Sequence, residues 1–158
     1  MNKLIFTTSW DDGYPLDKKL LSFLIKYNIK GTFYIPLQNK ERQVMKRNYI
    51  KKIYSLGMEI GSHTLTHPIL TKIDENQAQH ELIESKKKLE EIIKKPVISF
   101  CYPKGKANPN LLNLVKKAGY KLARSTVLFH TNLKFDPFYA YYNSFFQTFL
   151  FVLFETTN

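Results

Sequence analysis

Segments with the pattern of a strand and segments with the pattern of a helix alternate along most of this chain. Apolar and β-branched runs at 3–9 and 31–36 predict strands, and the apolar spacing within 17–27 predicts a helix between them. This regularity is typical of α/β proteins with a mainly parallel sheet, open or closed into a barrel. The chain has 158 residues, which is long enough for one such domain with a buried core.

The alternation continues as far as residue 123. Further helices are predicted at 41–56, 74–95 and 108–118, and further strands at 58–60, 96–103 and 120–123. In a parallel sheet the carboxyl ends of the strands meet at one edge, where α/β proteins place their reactive groups. We therefore expect the residues that follow the strands to converge there: Asp11, Asp12, His63 and Pro103.

Charge, cysteine content and the N-terminal segment narrow the expected partners, metal sites and location of the protein. The formal charge of +11 favours anionic partners, but the basic residues are spread over Lys-rich helical stretches such as 86–95, so solvated helix faces are favoured and no nucleic-acid partner is expected. Cys101 is the only cysteine, which excludes an internal disulfide and a Cys-based zinc cluster. The apolar run at the N-terminus is too short for a signal peptide, so a cytoplasmic protein is expected.

The end of the chain differs in composition from the rest. No charged residue occurs between Asp136 and Glu155, and half of 137–154 is aromatic. We therefore divide the chain into a domain at 1–135 and an aromatic-rich segment of uncertain structure at 136–158. The polar residues within this segment argue against a stable membrane span and favour a buried or poorly ordered tail. A third interpretation is that the reading frame departs from an ancestral sequence near Asp136.

Two carboxylates and two imidazoles are the candidate reactive groups of this sequence. Asp11 and Asp12 follow the first strand, and Gly13 gives the backbone the freedom to turn both toward one pocket, although an Asp-Asp-Gly alone is usually a simple turn. His63 and His67 are four residues apart, which predicts that they share one side of a helical turn within reach of one metal ion. One aspartate would complete a two-His, one-carboxylate site with open positions, and the other would take a proton from the attacking water.

The motif at 8–13 (TSWDDG), together with 63–68 (HTLTHP), resembles the polysaccharide deacetylase family, carbohydrate esterase family 4, also called the NodB-homology domain. Segments 31–36 (GTFYIP) and 100–105 (FCYPKG) resemble that family's second strand and third motif, so the resemblance spans about residues 3–130. It implies a distorted (β/α) barrel that hydrolyses N-acetyl groups of amino-sugar polymers. It also implies one divalent metal ion, with zinc favoured over cobalt, nickel or manganese.

The resemblance also assigns roles to individual residues. Asp11 would be the general base, and the metal would be held by Asp12, His63 and His67. The acetyl site would be lined by Tyr102, Pro103, Lys104 and Gly105. Within that loop, the backbone N–H of Lys104 would stabilise the developing oxyanion. Without the resemblance, the same segment is a Pro-Gly turn after a strand.

Three departures from the family pattern bear on activity. Cys101 stands where the family commonly has an arginine that orients the base, although some branches dispense with it, so Asp11 is expected to lack that partner. No residue after His130 can be the family's histidine general acid, and His130 itself lies too early and is interpreted as a structural or edge histidine. The family's tryptophan-and-acid motif is not visible. The barrel is therefore expected to be incomplete at the C-terminus and its activity impaired.

Other functions remain open at this point. A truncated deacetylase domain could bind metal without efficient turnover, and related amidases use the same scaffold on small amides. A basic protein that binds nucleic acid or acidic glycans would have no need of the Asp and His arrangement. The acetylated sugar, the metal and the oligomeric state are not fixed by the sequence.

Overall fold

A computed structural model describes residues 4–128, 140–142 and 149–154 of the chain. The strands are β1 (Leu4–Trp10), β2 (Gly31–Ile35), β3 (Glu59–Ser62), β4 (Ser99–Cys101), β5 (Leu122–Leu128), β6 (Ala140–Tyr142) and β7 (Phe149–Phe154). The helices are α1 (Asp17–Lys26), α2 (Arg47–Ser55), α3 (Glu75–Ile93) and α4 (Pro109–Lys117). Short 3-10 turns lie at Leu70–Lys72 and Pro103–Gly105.

The strands form one sheet in the order β6-β5-β4-β3-β2-β1-β7. Strands β1 to β5 are parallel neighbours in chain order, with Thr8 opposite Gly31 and Phe33 opposite Ile60. At the two edges, β6 pairs parallel with β5 and β7 pairs antiparallel with β1. This strand and helix order is the α/β architecture that the alternating sequence pattern predicts.

The five-strand parallel part of the sheet is curled into a half barrel. Arg124 on β5 contacts Asp11, which follows β1 directly, although three strands separate β1 from β5. Neighbouring strands lie about 4.8 Å apart, so a flat sheet would hold β1 and β5 about 19 Å from each other, beyond the reach of the two side chains. The contact therefore requires strong curvature, and it confirms the predicted fold class, a distorted (β/α) barrel.

The helices begin where the sequence supplies caps. The side chain of Asp74 accepts a hydrogen bond of 2.9 Å from the N–H of Gln77 at the start of α3, and Asn108 does the same for Leu111 at the start of α4. The apolar faces of the helices pack on the sheet. The core includes Leu82 and Leu89 from α3, Val115 from α4 and the strand residues Phe33, Ile60 and Phe100.

The predicted helix at 41–56 is wrong in its first half, because α2 begins only at Arg47. The preceding residues instead fold back toward the end of β1, where the N–H of Met45 donates a hydrogen bond of 2.8 Å to the carbonyl of Gly13. The Met45 side chain is buried in the core. This tertiary contact outweighs the helical pattern of the segment.

Two strand predictions also differ in extent, since β4 is confined to Ser99–Cys101 and β5 continues to Leu128. Two strands, β6 and β7, come from the aromatic-rich segment, while the domain boundary at 135 stays a prediction. Within the described ranges, no helix is both long and apolar enough to cross a membrane. His130 and the proposed change of reading frame near Asp136 lie outside the described residues.

Candidate active site

The turn after β1 is built from left-handed backbone. Asp12 has a φ of 71° and Gly13 a φ of 56°, which breaks the alternation of side chains along the strand. A Cβ on Gly13 would lie 2.7 Å from Cγ2 of Ile35, so the position needs a glycine for space as well as for its backbone angle. The turn places Asp11 and Asp12 together at the carboxyl edge of the sheet.

Asp12, His63 and His67 converge on one point. The Nε2 of His67 lies 3.1 Å from Oδ1 of Asp12, and the Nε2 of His63 lies 3.6 Å from the same oxygen. All three donor atoms are within 4.8 Å of one another. Both imidazoles are buried, and the carboxylate is 24% exposed, so the group opens to solvent on the side of Asp12.

This donor set fits a divalent metal ion. Metal–ligand bonds of about 2 Å in tetrahedral geometry hold neighbouring ligand atoms about 3.3 Å apart, close to the spacings around Asp12. The Nδ1 of His63 lies 2.8 Å from the backbone carbonyl of Cys101, where it donates a hydrogen bond, so Nε2 keeps its lone pair for a metal. Asp11, His63 and Cys101 also lie together, but Nδ1 of His63 is engaged with the carbonyl and is not available to a second ion.

The segment that carries both histidines is not the predicted helical turn. Thr64 and His67 have left-handed φ values of 69° and 62°, and the loop from His63 to Ile69 contains no regular helix. The hydroxyl of Thr64 accepts a hydrogen bond of 3.0 Å from the N–H of His67 and donates one to the carbonyl of His63. The four-residue spacing thus brings the imidazoles together through a folded loop that Thr64 closes.

The electrostatics of the cluster favour cations. His63, and after it His67, hold the pKa of Asp12 well below its usual range by hydrogen bonding to its carboxylate. Burial alone would lower the pKa of His63, but Cys101 and Asp12 beside it raise that pKa to about 10. A proton and a metal ion compete for the same nitrogen, so metal binding there releases a proton.

Asp11 has the arginine partner that the third motif does not provide. Nη2 of Arg124, on β5, donates to Oδ1 of Asp11, and Sγ of Cys101 lies 3.6 Å from Oδ2. The guanidinium is also 5.0 Å from the ring centroid of Tyr34 and is 1% exposed. The expectation that Asp11 lacks an arginine was therefore wrong, because a strand on the far side of the sheet supplies one.

The third-motif loop lies beside this pair. Tyr102, Pro103 and Gly105 are buried, and Lys104 is exposed with a left-handed φ of 55°. The N–H of Gly105 is used within the loop, where it donates 2.9 Å to the carbonyl of Tyr102. In the described part of the chain, no hydrogen bond uses the N–H of Lys104, which leaves that donor available.

Two basic residues near the carboxylates were missed by the sequence analysis. Arg124 follows directly after the predicted strand at 120–123 and lies within β5, which continues past it. A charged residue at the end of that predicted strand was the signal that could have identified it. Arg42 lies in the segment that was predicted to be helical, and its Nη1 is 3.3 Å from Oδ2 of Asp12. No local pattern indicates that contact.

Comparison with known proteins gives one consistent result. The sequence model described as polysaccharide deacetylase matches residues 2–123. A peptidoglycan-N-acetylglucosamine deacetylase of Bacillus cereus is 34% identical over 86 residues, which are 53% of this chain and 30% of the relative. The chain thus spans less than a third of the length of that relative.

Solved structures agree with the sequence match. A polysaccharide deacetylase from Bacillus cereus superposes with a TM-score of 0.73 at 27% identity over 84% of this chain and 44% of the other. A Streptococcus pyogenes deacetylase, solved in complex with acetate, gives a TM-score of 0.69 at 25% identity over 75% of this chain and 54% of the other. With the family's motifs placed at one sheet edge and most of its length matched, this chain belongs to the polysaccharide deacetylase family.

Proposed function

We propose that this protein is a metal-dependent hydrolase that removes N-acetyl groups from amino-sugar polysaccharides or oligosaccharides. The observation that carries the proposal is the convergence of Asp12, His63 and His67 beside a further carboxylate, Asp11, which lies close to His63 but forms its ion pair with Arg124. A site of this kind has three ligands, open positions and a separate base, as metal-assisted amide hydrolysis requires.

A divalent metal ion held by Asp12, His63 and His67 would lower the pKa of a water and polarise the acetyl oxygen. Zinc is the favoured ion, with cobalt, nickel or manganese as alternatives. The proposed roles of the protein follow from the contacts around Asp11. Arg124 and Cys101 contact its two oxygens separately, which fixes the carboxylate in the orientation from which Asp11 would accept the proton of the attacking water.

The loop of Tyr102, Pro103, Lys104 and Gly105 is the proposed acetyl site. The N–H of Lys104 would donate to the oxygen on which negative charge develops, while the buried Tyr102 and Pro103 exclude water on the same side. Among the known relatives is a deacetylase of peptidoglycan N-acetylglucosamine. The glycan of peptidoglycan is therefore the first substrate to test.

The test measures acetate release and metal content on the same preparations. Protein loaded with Zn²⁺ or Co²⁺ is incubated with N-acetylglucosamine oligomers and with peptidoglycan glycan fragments, and a chelator followed by added metal establishes reversibility. We expect Asp12→Ala to lose metal and acetate release together, and Asp11→Asn to keep metal and lose acetate release. A protein that neither binds metal nor releases acetate from any acetylated sugar would refute the proposal.

A metal-binding but catalytically impaired domain is the second candidate. It is favoured because the family match ends at residue 123, before the region from which the family's last motif would supply a proton donor. Bound metal at one ion per chain without acetate release would support this candidate. Binding of acidic glycan or nucleic acid that weakens steeply with salt and is unchanged in Asp12→Ala would support a basic binding protein instead.

A further inference from the structure

Glu81 lies on α3, and its carboxylate reaches the loop between the two histidines. Oε2 accepts hydrogen bonds of 2.8 Å from the backbone N–H groups of both Leu65 and Thr66, and Oε1 accepts one of 2.6 Å from the hydroxyl of Thr66. The residue is 8% exposed, so these bonds form largely away from water. One side chain thus satisfies three donors within two consecutive residues.

The loop needs such support because its backbone is unusual. Thr64 and His67 both have left-handed φ values, a conformation that costs free energy for residues other than glycine and persists only when surrounding contacts impose it. On the other side of the loop, the carbonyl of Leu65 accepts hydrogen bonds of 3.1 and 2.9 Å from the N–H groups of Leu37 and Gln38. The segment is therefore held between α3 and the chain that follows β2.

In the described part of the chain, Glu81 forms no ion pair. A buried carboxylate is costly unless it is hydrogen-bonded, and all of its recorded partners belong to the histidine loop. Glu59 differs in both respects, because it is exposed and its carboxylate bridges Thr32 and Ser99 across three strands.

We propose that Glu81 is a positioning residue for the metal centre, which sets the angle at which His67 faces Asp12 by fixing the backbone of Leu65 and Thr66. This inference rests on the proposed function, since it takes His63 and His67 as metal ligands. The lever is short. Thr66 precedes His67 directly, so a shift of the Thr66 backbone moves the imidazole whose Nε2 lies 3.1 Å from Asp12.

Three variants separate positioning from general stability. Glu81→Ala removes all three hydrogen bonds. Glu81→Gln keeps an oxygen that can accept from both N–H groups and gains an amide that can donate to the Thr66 hydroxyl, so it should rescue the site. Glu91→Ala is the matched control, because Glu91 is exposed on the same helix.

The readouts are Co²⁺ affinity, by competition with a metal indicator, and the visible absorption spectrum of bound Co²⁺, which reports ligand geometry. We expect Glu81→Ala to weaken Co²⁺ binding by about 10- to 100-fold and to change the spectrum, as loss of a group that orients a ligand does. Glu81→Gln should stay within about threefold of the wild type, and Glu91→Ala should match it. Circular dichroism of the metal-free proteins verifies that each variant is folded.

If Glu81→Ala does not fold, Thr66→Ala replaces it, since this change removes only the bond to Oε1. One lost hydrogen bond predicts a loss of Co²⁺ affinity on the order of fivefold. Wild-type affinity and spectrum in Glu81→Ala, or in Thr66→Ala where that variant is used, would overturn the role of Glu81 alone. Absence of Co²⁺ binding by the unmodified protein would overturn the metal site and this role with it.

Discussion

Arg124 and Asp11 form an ion pair across the hollow of the curled sheet, between a residue on β5 and the residue that follows β1. Arg124 is 1% exposed and Asp11 is 16% exposed, so both charges lie largely out of water. Such a pair is weak support for stability as a whole, but breaking it leaves one buried charge without compensation. The pair therefore has two roles: it connects β5 to the end of β1 in the curled sheet, and it orients the carboxylate of Asp11, the proposed base.

A double-mutant cycle tests that pair. We expect Arg124→Gln and Asp11→Asn each to lower the free energy of unfolding by about 3 kcal/mol, because each removes one partner of a buried ion pair. The double variant should lose clearly less than the sum, since it contains neither charge. Urea denaturation of the metal-free wild type, the two single variants and the double variant measures the four free energies of unfolding. Additive losses would mean that the two residues do not act as a pair.

The position of Cys101 gives a second prediction about the same carboxylate. Cys101 is fully buried beside Asp11, so Cys101→Arg adds volume and a second positive charge where Arg124 already lies. We expect a loss of about 3 kcal/mol or more in the free energy of unfolding. Removing Arg124 as well, in Cys101→Arg/Arg124→Ala, should restore part of that loss.

The measurement is thermal or urea unfolding of the single and double variants, with Cys101→Ser as the control for loss of the sulfur alone. A higher free energy of unfolding in the double variant than in Cys101→Arg would show that an arginine on either β4 or β5 can pair with Asp11. A double variant less stable than both single variants would contradict that view and tie the function of Arg124 to its own strand.

Much of the proposed site could be predicted from sequence because it depends on topology. Parallel strands end at one edge, so Asp11, Asp12 and His63 had to meet there once the strands were recognised. The glycine after the two aspartates is likewise a local signal, since its φ of 56° and its closeness to Ile35 leave no room for a side chain.

The remainder depends on contacts that no local pattern encodes. Arg124 reaches Asp11 only because the sheet curls, and curvature arises from many strand twists together. The spacing of His63 and His67 fits a helical turn equally well, and the loop conformation is imposed by Thr64 and by the distant Glu81. Tertiary contacts of this kind routinely override local propensity.

Gly61, on β3, gives a prediction about the packing beneath the site. A Cβ at this position would lie 2.4 Å from Cδ1 of the buried Tyr34 ring, over which Arg124 is stacked. We expect Gly61→Ala to cost about 1 to 3 kcal/mol in the free energy of unfolding, because the ring must move within a closed core. Gly61→Ala in a Tyr34→Ala background should cost less, and urea denaturation of the four proteins tests this. An equal cost in both backgrounds would exclude the ring as the obstacle.

Asp17 gives a prediction about pH, because it begins α1 close to the other two aspartates and its Oδ2 is buried without a hydrogen-bond partner among the described residues. Burial, together with repulsion from Asp12 and Asp11, raises the pKa of Asp17 from 3.8 to about 7, although a hydrogen bond from the backbone at Tyr14 opposes the shift. A carboxyl whose pKa is higher in the folded protein than in the unfolded chain disfavours folding when it is charged. The penalty is absent below pH 3.8, grows as the pH rises to about 7, and is constant above that value.

Asp17→Asn removes the penalty, so its effect must follow the same pH range. We expect the variant to match the wild type near pH 4 and to exceed it in free energy of unfolding by an increasing amount up to about pH 7, with no further gain at pH 8. Urea denaturation at these pH values, with a chelator present throughout, measures the difference. A difference that is constant from pH 4 to pH 8 would show that folding does not shift the pKa of Asp17. A difference that shrinks with rising pH would show that folding lowers this pKa instead of raising it.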